Sequence, residues 1–209
     1  AVAKNALARL ADAGAVLVEA GIPDLAALNG ATLWPILLHE TEPSLASYLA
    51  TSGTGLSVRE LIARSSPTLQ WVFENFVFAG GKSSVPDDAY SAALSKHQPA
   101  LVAAYRDYFA STGVEAVVFP SVPMTAPKIG EDAEVDLNGK KVPTFQALSR
   151  NIQPASAAAL PGLVLPAGLD RNGLPVGLEF DGPAGSDRAL LGLGLTIERV
   201  LGGIPGPMV

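Results

Sequence analysis

The feature that most constrains the fold is the run PGLVLPAGLDRNGLPVGLEFDGPAGSDRALL, residues 161–191. GLVLPAG and PVGLEFDG each read as a short apolar strand, and Asp170-Arg171-Asn172-Gly173 between them is a turn tetrad. Directly afterwards SDRALLGLGLTIERVLG has helical periodicity, with Ser186 as N-cap and Asp187 in the first turn, where its charge suits the helix dipole. The start of the chain has a related grammar. Val2, Ala6, Leu7, Leu10 and Ala13 fall at helical spacing, Gly14 is a natural C-cap, and Ala15–Val18 reads as a strand ended by Gly21 and Pro23. A helix followed closely by a strand is the unit of an α/β sheet.

Between these ends the pattern is mainly helical. A helix is expected over Thr32–Ala50, with Pro35 and Pro43 at helix starts or breaking it in two. SVRELI reads as a short helix opened by a capping box, Ser57 with Glu60 three residues later. PTLQWVFENFVFAGG is a helix ending at Gly80 and Gly81. The strongest helical signal covers residues 84–113, where Pro99 predicts a kink and Gly113 a stop. VEAVVFP is then a strand ending at Pro120. In the proline-rich stretch that follows, AEVDLNGKKVP predicts a hairpin turning at Asn138-Gly139. TFQALSRNIQPASAAAL alternates helix and turn character. With no internal repeat and no clear linker, one domain is the simplest organisation.

The composition narrows the function classes. Charged residues are 16% of the 209, against about 25% in typical domains, so the surface is sparingly charged or partly covered. A net charge of −6 with no basic cluster argues against a nucleic-acid partner. No apolar run is long enough for a transmembrane span, and the first residues lack the series that makes a signal peptide. The absence of cysteine fits a reducing compartment, so a cytoplasmic location is expected. The chain has no initiator methionine and opens inside a helical pattern, as a chain beginning after a cut would.

The chemically suggestive residues form no motif of their own. His39 and His97 lack the spacing of a zinc site, so no metal site is expected. AGGKSS, residues 79–84, has the wrong spacing for a phosphate loop and follows a helix instead of a strand. Glu131, Asp132, Glu134 and Asp136 lack the calcium-loop pattern. Arg188 opposes the dipole in the first turn of the closing helix unless it pairs with an acid such as Asp187. The residues show no convincing nucleophile, base or cofactor site.

NIQPASAAALPGLVLPAGLDRNGLPVGLEFDGPAGSDRALLGLGLTIE, Asn151–Glu198, resembles the C-terminal region of the amidase signature family. AVVFPSVPMTAPKIGE, Ala116–Glu131, is similar to the strand and proline-rich loop that precede it there. ALARLADAGAVLVEAGIPDL, Ala6–Leu25, is similar to the helix and strand that follow the family's catalytic core. The resemblance is strongest over 116–198 and weaker across 30–110. Within the family, hydrolases of mandelamide or indoleacetamide type look most alike. It implies an α/β fold, a mixed β-sheet flanked by helices, of which residues 1–209 supply the C-terminal part. Residues 30–110 would be a mainly helical substrate-side region and 113–209 the sheet and closing helix.

The family hydrolyses amides with a serine nucleophile, a second serine and a lysine, without a cofactor, and those groups precede the region matched. The resemblance therefore implies no catalytic residue in this chain, and a partner: an N-terminal chain or fragment carrying the catalytic Ser, Ser and Lys. The substrate would be a small-molecule amide. This chain would line the substrate side of the pocket, with Phe119, Ser121 and Met124 after the VVF strand and Asn151, Ile152, Gln153 and Ala155 in the next turn. Trp34, Leu38 and His39 would form a lid over an aryl group or, together with Phe145, a further candidate for the substrate side, serve as core. Two rival classes are a non-catalytic structural or recruiting subunit of an amidase-like assembly and an unrelated soluble α/β binding domain.

Overall fold

The computed structural model describes residues 1–206. In chain order its first elements are helices α1 (Val2–Asp12), α2 (Leu25–Thr51), α3 (Val58–Ala63), α4 (Pro67–Val72), α5 (Asp87–Ala92) and α6 (Gln98–Thr112). Strands β1 (Val117–Pro120), β2 (Glu134–Leu137) and β3 (Lys140–Pro143) follow, then α7 (Thr144–Ser149) and α8 (Gln153–Ala157). Strands β4 (Gly162–Leu169) and β5 (Pro175–Asp181) and helix α9 (Asp187–Leu201) complete the chain. These α/β elements form two compact units, Ala26–Leu101 and the remainder. The first 25 residues thus belong with the sheet, and the helical unit ends nine residues before position 110.

In the sheet unit the strand order is β1-β5-β4, with both pairings antiparallel. Opposed residues share a face, so Val118, Phe180 and Leu163 point one way, and Phe119, Glu179 and Val164 the other. The first face builds the core. Leu178 and Phe180 pack with Ala6 and Leu10 of α1 and with Leu190, Ile197 and Leu201 of α9. Full burial of each large side chain stabilises by about 1.5–3 kcal/mol. At the tip of the β4–β5 hairpin, the Asp170 carboxylate accepts from the N–H groups of Asn172 (2.8 Å) and Leu174 (2.9 Å), while Gly173 supplies a φ of +77°. The second hairpin turns as expected, with Asn138 and Gly139 both left-handed, the geometry of a type I′ turn.

Two expectations in this unit are corrected. Residues 15–22 form no strand. Val16, Leu17 and Val18 are instead 87%, 47% and 49% exposed, because a strand needs a neighbour for its backbone groups and no described segment supplies one. Ser186 occupies the N-cap position of α9, but its side chain makes no capping bond. Its Oγ is buried without a partner.

The helical unit also departs from the sequence reading. α2 runs unbroken through Pro35 and Pro43, each of which removes one backbone bond without ending the helix. Ahead of Pro99 the helix widens into a π turn at Ala93–His97, the turn that a proline ring at 99 would crowd in a regular helix. A second π turn, Phe73–Val77, continues α4. The capping box of α3 forms as expected, Ser57 N–H donating to Glu60 Oε2 (2.8 Å) and Glu60 N–H to Ser57 Oγ (3.2 Å). Leu49, Val58, Ile62, Phe73 and Phe78 make the core of this unit.

Candidate functional site

The backbone at the end of β1 is held from two directions. Ser121 N–H donates to Gly177 O across the sheet (3.1 Å), and the Asn151 side-chain amide donates to Pro120 O (2.8 Å). The structure therefore brings together the β1 loop and the 151 turn, the two segments singled out from sequence in this unit. Phe119, Ser121, Met124 and Asn151 are half-buried. Farther along the loop, Thr125 donates to Asp170 (3.1 Å), which ties it to the β4–β5 turn. Gln153 donates to Ser149 Oγ (2.7 Å), Ile152 is exposed, and Ala155 is on the buried side of α8. Phe145 lies on α7 and is 62% exposed.

Two acids on β5 give this unit its electrostatic character. Glu179 and Asp181 are 7% and 1% exposed, and their carboxylates offer three buried oxygens without a hydrogen-bond partner, Glu179 Oε2 and both Asp181 oxygens. A buried charge without donors favours its protonated form. Burial, followed by the neighbouring Glu179, pushes Asp181 up to about 7. Burial likewise raises Glu179. Tyr105 on α6 is raised by its own burial and then by both acids. A glycine at 162 makes room for the pair, since a Cβ there would stand 2.9 Å from Asp181 Oδ1. On the same face, Ser121 Oγ is also buried without a partner.

The acid pair was not among the residues singled out from sequence. The part of the signal present in GLEFDG is the spacing: two acids two residues apart in a strand share a face, but whether that face is covered depends on what packs against it.

In the helical unit, Trp34 and His39 lie on α2, both half-buried. His39 stacks on Tyr90 with ring centroids 4.0 Å apart and planes 3° from parallel, and its Nε2 lies 3.0 Å from Asp87 Oδ1. Tyr90 donates to Glu40 (2.6 Å), a bond that raises the phenol. His39 thereby links α2 to α5. Among the described residues no group of three or more His, Cys, Asp or Glu is placed to hold a metal. No helix among them is long and apolar enough to cross a membrane.

The antiparallel hairpin, the closing helix and the held loop after β1 define a C-terminal portion of an amidase-type fold. The family model for Amidase matches residues 1–191, and the chain belongs to the amidase signature family. It is 39% identical over 200 residues to an indoleacetamide hydrolase of Agrobacterium vitis, covering 95% of this chain and 42% of that protein. With a mandelamide hydrolase of Pseudomonas putida it shares 34% identity, over 98% of this chain and 41% of that protein. A solved structure titled as an amidase superposes with a TM-score of 0.73 at 23% identity, over 95% of this chain and 42% of the other. The chain thus spans about two-fifths of the length of the curated relatives it matches. Membership of the family removes the reading as an unrelated α/β binding domain.

Proposed function

We propose that this chain is the C-terminal portion of an amidase that hydrolyses a small aryl or alkyl carboxamide to the acid and ammonia. The observation that carries the reading is its identity to an indoleacetamide hydrolase across nearly its whole length, while it spans less than half of that protein. The catalytic Ser, Ser and Lys lie on an N-terminal chain or fragment. The lysine draws a proton from the middle serine, which takes one from the nucleophilic serine as its oxygen attacks the amide carbonyl. Backbone N–H groups stabilise the oxyanion. The proton returns to the leaving nitrogen, ammonia departs, and water cleaves the acyl-serine ester to release the acid. The role of this chain is to shape the substrate side. Phe119 at the end of β1, with Ser121 and Met124 in the loop after it, is braced against the 151 turn by the Asn151–Pro120 bond, and the site acts in the cytoplasm.

The test is intact mass of the purified protein under native and denaturing conditions, followed by assay of ammonia release from indoleacetamide and mandelamide. A second polypeptide carrying a lysine and a glycine- and serine-rich segment, with ammonia released by the complex, is the expected result. A lone, active 209-residue chain would place the chemistry within these residues and overturn the reading. A lone, inactive chain would leave family and fold and remove the claim of activity.

A further inference from the structure

Two charges on α9 stand at the wrong ends of their own helix. Arg188 is in the first turn and Glu198 in the last, where each opposes the helix dipole. Both are exposed, and among the described residues neither side chain takes part in an ion pair. Between them Leu191 and Leu195 are 60% and 58% exposed. The spacing 188, 191, 195, 198 is three, four, three, the a and d positions of a heptad. This stripe is separate from the buried one of Leu190, Gly194, Ile197 and Leu201 that holds α9 on the sheet. Gly192 beside it has no atom within 4 Å of an added Cβ, so the helix backbone is open to close approach there.

The stripe is complementary to itself in one direction. When it is laid antiparallel on a second α9 about the level of Leu193, Arg188 meets Glu198 of the second copy and Leu191 meets Leu195 of the second copy. Asp187 and Arg199 lie at the same ends, so each end of the seam gathers two acids and two bases. Arg188 then stands beside the C-terminus of the opposing helix and Glu198 beside its N-terminus, which reverses the sign of both dipole interactions. A parallel pairing would set Arg188 on Arg188 and Glu198 on Glu198. We propose that the exposed face of α9 is a two-fold interface with a second copy of this chain, an antiparallel helix pair with leucines at its centre and Arg188–Glu198 pairs at both ends. It does not depend on the amidase reading. Two leucines from each copy make a small seam, so the dimer is weak and dissociates in the micromolar range.

The test is sedimentation velocity through the micromolar range on the purified protein and its charge variants. Two-fold symmetry uses each residue twice, so Arg188→Glu or Glu198→Arg alone turns both end pairs into like-charge contacts and should weaken the dimer roughly tenfold. The double exchange restores opposite charges at both ends and should recover the original dissociation constant within about threefold. Each change suits the dipole of its own helix, so α9 stays folded in all three variants. The two single changes move the net charge in opposite directions, so a general charge effect would strengthen one dimer and weaken the other. Orientation is read by crosslinking. The sequence has no cysteine, so Leu191→Cys and Leu195→Cys each carry a single thiol. Oxidation of a mixture should give chiefly the mixed disulfide, because identical positions in the two copies are offset by about 6 Å along the axis. A protein that stays monomeric, a double exchange that fails to rescue, single variants that shift oppositely or not at all, or crosslinks chiefly between identical variants would overturn the interface. Loss of the dimer when an N-terminal portion is bound would make that portion the occupant and overturn it too.

Discussion

Asp181 is a carboxyl group in a place that cannot hydrate a charge. Its folded-state pKa is raised to about 7 from an ordinary 3.8, so the native state holds a proton that the unfolded chain has released over that interval. The associated stability is fully present below the unfolded value and is lost as pH rises through the folded one, with a slope of about 1.4 kcal/mol per pH unit. Asp181→Asn should therefore flatten the pH dependence between about 4 and 7. Thermal melts across that range would reveal a retained slope if another group were responsible. Gly81 is the other exacting position, because an added Cβ would stand 2.7 Å from Asn75 O and 2.8 Å from Glu74 O, both backbone atoms that cannot swing away. Gly81→Ala should cost about 1–3 kcal/mol as overpacking, measured by denaturant titration.

At the scale of elements, small polar groups hold the turns and helix starts. Asp170 is the acceptor for two turn N–H groups and for Thr125, and the first of these, Leu174 N–H, is the chief reason its carboxyl sits below the usual range. Replacing it by Ala should loosen both the β4–β5 hairpin and the loop after β1. Exchange of the Leu174 amide is the local readout, and unchanged protection there would contradict the role. Ser57→Ala removes one half of a formed capping box and should cost about 1 kcal/mol, confined to α3. The proline-containing helices show a different balance. α2 keeps Pro35 and Pro43 inside a continuous helix, whereas the segment ahead of Pro99 takes in a π turn.

For the whole molecule, the dominant property is apolar surface left uncovered in the sheet unit. Val16, Val164, Leu191 and Leu195 are each more than half exposed. With a charged fraction of 16%, little repulsion opposes association. The chain on its own should self-associate, and sedimentation velocity should show species larger than 21.4 kDa that diminish in Leu191→Glu/Leu195→Glu. A monodisperse chain with a single cooperative melt would count against an interface of this kind.

Local chemistry made much of this protein legible from its residues. The hairpin at Asn138-Gly139, the Asp170–Gly173 turn, the capping box at Ser57 and the closing helix depend on groups a few positions apart, so their spacing specifies them. The bond from the Asn151 side chain to Pro120 O joins residues 31 apart, and no local spacing specifies it. What lay beyond reach depends on distant partners. Ala15–Val18 has the composition of a strand but no neighbour to pair with, and composition does not record neighbours. The stacking of His39 on Tyr90 required two helices to meet. The burial of Glu179 and Asp181 needed the fold to set an apolar layer on one side of β5 and an aromatic helix near the other. Local spacing specified the elements; only the tertiary structure decided which backbone edges were satisfied and which charges were kept from water, because both are properties of what packs against an element.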